Sequence, residues 1–227
     1  ISALATGMPV ERRSRFCGIH FFNPPRYMPL VELIPTADTD AAMLDALEAW
    51  LTTRLGKSIV RARDTPNFVA NRVGVFSILA VLHHTARLGL SFDEVDLLTG
   101  PRIGRPKSAT FRTADVVGLD TLAHVIDTMQ ATLADDPWHA YFKSPAWLQG
   151  LIGKGALGQK TKAGIYRKQG KQIQVLDLAL QDYRDSGGEV FPDVEDILKL
   201  KSPVEKFAQL AAHPHPQAQF LWSMFRD

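Results

Sequence analysis

Gly18-Ile19-His20-Phe21-Phe22-Asn23-Pro24-Pro25, followed by Pro29-Leu30-Val31-Glu32-Leu33-Ile34, sets a histidine in one apolar run and a carboxylate inside the next. Both runs are rich in β-branched and aromatic residues, and they predict strands over Phe16–Phe22 and Leu30–Ile34. A histidine held by a glutamate is a general base with a fixed tautomer and a stabilised charged form. A histidine beside two phenylalanines is more often a core residue. Alternation would also turn Glu32 away from Val31 and Leu33, onto an edge or a solvated face that needs no function. Asn23-Pro24-Pro25 weighs on the other side, because paired prolines impose a rigid, non-helical exit that aims His20 repeatably. On the residues alone, both readings stay open.

Outward from this pair, Asp40 caps an amphipathic helix with Met43, Leu44, Leu47, Trp50, Leu51 and Leu55 on one face, and Gly56 stops it. Ser58–Ala62 is a short strand, so residues 1–63 read as the tail of an α/β sheet with unpaired edges. A long helix follows from Phe68 to Gly89, with His83-His84 in its middle, facing solvent or a partner helix. Ser91 and Glu94 form a capping box for a helix up to about Leu98. Residues 99–106 are a rigid loop, and a helix from Asp115 to about Ala134 has a break expected near Gly118. The remainder reads as a second helical unit with a hairpin-like stretch at Ile165–Val175, helices over Asp193–Leu200 and Pro203–Ala212, and an aromatic tail that docks on the fold. The expected organisation is 1–63, 64–135 and 136–227.

With 227 residues, 45% hydrophobic and 22% charged, the chain can bury a real core. A net charge of +2 gives no electrostatic footprint for nucleic acid or a membrane surface, and no apolar run is long enough to span a bilayer. One cysteine, Cys17, excludes an internal disulfide framework and suits the cytoplasm; its apolar strand position marks an inert thiol. His213 and His215 lack the further ligands a metal needs, so no metal site is expected. A formal G-x-G-x-x-G at Gly153–Gly158 is rejected as a nucleotide site: Trp147-Leu148 precedes it, and the polar, broken stretch Lys160–Gly164 follows where a helix is required.

Four ordered stretches carry a resemblance. Gly18–Pro24 with Val31-Glu32, Asp64-Thr65-Pro66-Asn67-Phe68-Val69-Ala70-Asn71-Arg72, Asp115–Thr121 and Gly155–Tyr166 together resemble the L-3-hydroxyacyl-CoA dehydrogenases of fatty-acid β-oxidation. The resemblance implies a mainly α chain, the C-terminal helical domain of such an enzyme preceded by a partial α/β Rossmann remnant. It implies oxidation of a 3-hydroxyacyl-CoA with NAD, with His20 as general base, Glu32 orienting it, Asn71 as the active-site asparagine bonding the reacting group, and Asn23 in a neighbouring substrate-binding position. No residue is assigned to the cofactor. Asn67 stands where the family usually carries glycine, and asparagine tolerates the left-handed backbone a turn there requires.

The opening Ile1-Ser2-Ala3 has no methionine and no Gly-rich phosphate turn, so the expectation is the C-terminal part of a larger protein, inactive alone, with the family's catalytic-site serine lying just before Ile1. Residues 202–227 resemble the extension of long bacterial members, which implies an enoyl-CoA hydratase domain after Asp227. Homodimerisation is the association expected of the helical part. The reading from another class is a non-catalytic acyl-CoA-binding scaffold or oligomerisation module.

Overall fold

The computed structural model describes residues 1–227, which fall into two compact units, Ile1–Val73 and Gly74–Asp227. About half of the residues are helical. The first unit opens with two short helices, α1 (Ser2–Thr6) and α2 (Val10–Arg13), and then builds a three-stranded sheet from β1 (Cys17–Phe21), β2 (Leu30–Pro35) and β3 (Ser58–Arg61). β2 is central: β1 runs antiparallel to it, and β3 runs parallel after a crossover through α3 (Ala41–Leu55).

Local chemistry fixes α3 as the sequence predicts. The Asp40 carboxylate accepts from the Met43 amide at 2.9 Å, and Gly56 closes the helix at φ 63°. The expected apolar face is too wide, however. Leu44, Leu47 and Leu51 pack with Val31, Leu33 and Ile59, whereas Trp50 is 51% exposed and Leu55 is also exposed. A sheet of only three strands covers a narrow stripe of the helix.

α4 (Ala70–Leu88) opens in the first unit and continues in the second. It begins two residues later than the sequence predicts, because Asn67 and Phe68 both take left-handed backbone at φ 62° and 50°. α5 (Phe92–Leu98) carries the predicted Ser91–Glu94 capping box. α6 (Phe111–Val117) and α7 (Leu119–Thr132) are separated at Gly118, so Asp115 lies inside a helix rather than at its start. After α8 (Ala146–Gly153) comes a second antiparallel sheet, β4 (Tyr166–Gln169), β5 (Gln172–Asp177) and β6 (Asp182–Asp185), where the sequence suggests only a hairpin. The helices α9 (Pro192–Lys199), α10 (Pro203–Ala212) and α11 (Pro216–Arg226) end the chain, with Phe220, Leu221 and Met224 buried in the core of this unit. No helix is long and apolar enough to cross a membrane.

Of the two settings expected for His83-His84, solvent or a partner helix, His84 takes the second, at the end of α11. It is 2% exposed, and its Nε2 lies 2.6 Å from the carboxylate of Asp227, which also accepts from the Tyr141 hydroxyl. Burial pulls its pKa down, with Asp227 acting in the opposite direction.

Two other buried carboxylates organise the second unit. Asp115 accepts from the amides of Ile165 and Tyr166, both at 2.8 Å. Asp96 accepts from the amides of Thr110, Phe111 and Arg112 and from the Tyr166 hydroxyl. This explains Gly158 and Gly164 of the Gly155–Tyr166 stretch without any ligand. A Cβ at Gly158, where φ is +99°, would collide with the Asp115 backbone, and one at Gly164 with its carboxylate. Gly153 ends α8, and the loop leads to β4 instead of a nucleotide-binding helix.

Replacing Gly158 by alanine is therefore expected to displace Asp115 and destabilise the protein by about 2–4 kcal/mol, the range of severe packing defects. Thermal unfolding should show a midpoint lowered by roughly 4–16 °C for a chain of this size; an unchanged midpoint would refute the close approach. Burial pushes the carboxyls of Asp96 and Asp115 up to about 6, against the pull of their amide donors. Because the unfolded carboxyl titrates near ~3.9, the contribution of both groups to stability is full below that pH and declines as pH rises through about 6. Carboxyl NMR titration should give both midpoints near 6, and midpoints below the unfolded range would reverse the assignment.

Candidate functional site

The β1–β2 register places His20 directly opposite Glu32. Cross-strand partners on one face of an antiparallel pair are close enough to bond, and His20 Nδ1 lies 2.8 Å from Glu32 Oε2. The separation in sequence is thus the length of a hairpin whose two arms bring these positions into register.

Glu32 is not on a solvated face. It is 0% exposed, as are its neighbours Val31, Leu33 and Ile34, so β2 is covered on both faces. A carboxylate so placed is tolerated only with its lone pairs engaged. Oε1 accepts from the amides of Val69 at 2.9 Å and Ala70 at 2.8 Å, and Oε2 faces His20. Ala70 is the first residue of α4, whose initial N–H groups have no partner within the helix. The negative charge of Glu32 also sits where the helix dipole favours it.

The carboxylate offers no proton, so Nδ1 of the neutral imidazole carries the hydrogen and donates it to Glu32. Nε2 is then the basic nitrogen. The imidazole remains 30% exposed. Phe22 and Phe68 flank it, with ring centroids 4.6 Å and 5.6 Å away. The arrangement is an oriented base in tilted contact with two aromatic rings, open to solvent on part of its surface, able to accept a proton at Nε2 while its other edge is held.

Asn71 lies in the first turn of α4, one residue past the last amide that binds Glu32, and is half-buried. Asn23 is exposed on the turn leaving β1, where its peptide bond with Pro24 is cis. The structure thus brings His20 and Glu32 into contact and sets Asn71 on the element that Glu32 anchors.

Three contributors escape sequence reasoning. Lys57, buried after the Gly56 cap, donates from Nζ to the carbonyls of Pro25 at 2.5 Å and Met28 at 2.8 Å, and so braces the loop between β1 and β2. The Val69 and Ala70 amides carry no side-chain signature. Asn67 has its side-chain nitrogen buried with no hydrogen-bond partner; the sequence signals only its backbone conformation.

Among known proteins, the family model described as the 3-hydroxyacyl-CoA dehydrogenase NAD-binding domain matches residues 1–65, and the one described as the C-terminal domain of the same enzyme matches residues 68–168. His20 and Glu32 lie in the first stretch, and the amides that bind Glu32 lie in the second. A probable 3-hydroxyacyl-CoA dehydrogenase of Bacillus subtilis is 38% identical over 224 residues, covering 99% of this chain and 28% of its own length. One from Deinococcus radiodurans is 42% identical, covering 74% of this chain and 50% of its own length. Among solved structures, the (S)-3-hydroxybutyryl-CoA dehydrogenase of Ralstonia eutropha shares 31% identity at a TM-score of 0.64, over 74% of this chain and 57% of that one. The chain accordingly spans half or less of the length of these two curated relatives.

The bond from Nδ1 to Glu32 predicts a single tautomer. Imidazole ¹⁵N NMR of the neutral protein should show His20 protonated at Nδ1 and bare at Nε2, and Glu32→Ala should lose that preference. A native ring protonated at Nε2 would contradict the assignment.

Proposed function

Because the chain belongs to the 3-hydroxyacyl-CoA dehydrogenase family, we propose that it supplies the acid–base machinery for oxidising an L-3-hydroxyacyl-CoA to the 3-oxoacyl-CoA in fatty-acid β-oxidation. The observation that carries this reading is the contact between the half-buried His20 and the fully buried Glu32, with Nε2 left as the free basic nitrogen.

NAD, the cofactor whose binding domain matches residues 1–65, would supply the acceptor for the hydride leaving C3. The strand-to-helix connection after β2, Thr36-Ala37-Asp38-Thr39-Asp40, has no glycine to let a pyrophosphate approach the backbone. No residue of this chain is therefore assigned to the dinucleotide phosphates, and the steps below belong to its own side chains.

His20 takes the proton of the substrate 3-hydroxyl at Nε2. The positive charge that develops on the imidazole is stabilised through Nδ1–H by Glu32, whose other oxygen the Val69 and Ala70 amides hold. Phe22 and Phe68 restrict water around the ring, which strengthens that interaction. In the reverse direction the imidazolium returns the proton to the 3-oxo oxygen. Asn71 is the group we assign to bonding that oxygen, and Asn23 supports substrate at the exit of β1. The extension from Ser202 to Asp227 lies beyond both family models but largely within the Bacillus alignment, in keeping with a long member of the family. An enoyl-CoA hydratase domain in the parent protein is part of this proposal.

The test is NADH oxidation by acetoacetyl-CoA in the full-length protein, native against His20→Gln. Loss of the general base should lower kcat by roughly 10²–10⁴-fold with acetoacetyl-CoA binding retained. Native turnover in the variant would remove His20 from the chemistry, and no turnover in either folded protein would favour the scaffold reading.

A further inference from the structure

Asn67 sits in left-handed backbone at φ 62°, a conformation glycine adopts without strain. Conformation alone therefore does not select an amide side chain there. The amide carries a liability: its Nδ2 is buried, and no group of the protein accepts from it. Buried donors are satisfied in the great majority of cases, and an orphan calls for an acceptor that is not part of the chain.

The chain segment that Asn67 opens is the one that packs against the candidate base. Asn67 begins a four-residue segment whose next member, Phe68, places its ring 5.6 Å from the His20 ring. The two members after that, Val69 and Ala70, donate their amides to Glu32. The segment thus wraps the His20–Glu32 pair, and its first side chain brings an unfilled hydrogen-bond donor.

We propose that Asn67 is a substrate-binding residue whose Nδ2 donates to the thioester carbonyl of the acyl-CoA, an assignment that rests on the dehydrogenase reading. The carbonyl is the acceptor of choice for chemical reasons. The 3-oxygen changes between hydroxyl and carbonyl during the reaction, and its proton belongs to His20. The thioester oxygen remains an acceptor in both oxidation states, and one methylene separates its carbon from C3. A neutral donor at this position fixes the acyl chain without disturbing the proton transfer.

The proposal separates from a purely conformational role for Asn67 by experiment. Asn67→Gly keeps the left-handed backbone and deletes only the amide, so folding should be preserved. Calorimetry on the full-length protein would measure binding of acetoacetyl-CoA and of its thioether analogue, in which a methylene replaces the thioester carbonyl. The expected result is acetoacetyl-CoA bound roughly three- to tenfold more weakly by the variant, the scale of one neutral hydrogen bond, with affinity for the analogue unchanged and the thermal midpoint not lowered. Asn67→Asp, similar in shape but without the donor, should show the same selective loss. Equal affinity of native and Asn67→Gly protein for acetoacetyl-CoA would overturn the assignment, as would an equal loss for both ligands. Failure of the native protein to bind acetoacetyl-CoA would instead bring down the dehydrogenase reading and this assignment with it.

Discussion

A single buried carboxylate joins most of what matters in this protein. Glu32 stands in the middle of a strand whose neighbours are Val31, Leu33 and Ile34, all shielded from water. An ionised group there is strongly unfavourable unless it is fully engaged, and the fold meets that condition with donors from two other elements. β1 supplies the imidazole of His20, and the start of α4 supplies the Val69 and Ala70 amides. The contact that orients the imidazole is therefore also a structural joint. Removing one of its members leaves a buried polar group without a partner.

The second unit uses the same device at Asp96 and Asp115 without the same chemistry. Asp96 collects amides from the start of α6 and the hydroxyl of Tyr166, and Asp115 collects the amides of Ile165 and Tyr166. Both pin loops that would otherwise be free, and the glycines around them exist to let backbones approach. What distinguishes Glu32 is the nature of one donor. An imidazole can change charge near neutral pH, whereas a backbone amide cannot. Partial exposure of that ring then turns a structural joint into a chemical group.

Elements bounded by local chemistry were legible from the chain itself. Asp40 and Gly56 frame α3, Ser91 and Glu94 open α5, and Gly118 divides two helices, because caps and left-handed turns depend on residues within a few positions of each other. Features set by distant partners were not. Trp50 shares the periodicity of Leu44 and Leu51, but the sheet beneath α3 is too narrow to cover it. His84 looks like an ordinary polar residue in mid-helix until the far end of the chain brings Asp227 against it. The strand Asp182–Asp185 is polar and short, and only pairing with β5 defines it.

For the site itself, the sequence determined the residue types, their spacing and the rigid turn between them, and with these the candidate pair His20 and Glu32. It also determined the family, since four motifs in a fixed order are a property of the chain alone. Only the tertiary structure decided that Glu32 is buried rather than solvated, that main-chain amides far along the sequence donate to it, and that the amide of Asn67 is left without an acceptor. The physical reason is that burial and the pairing of backbone donors belong to no single segment. They arise when separate segments exclude water from the same place, and no local pattern of residues records which segments those will be.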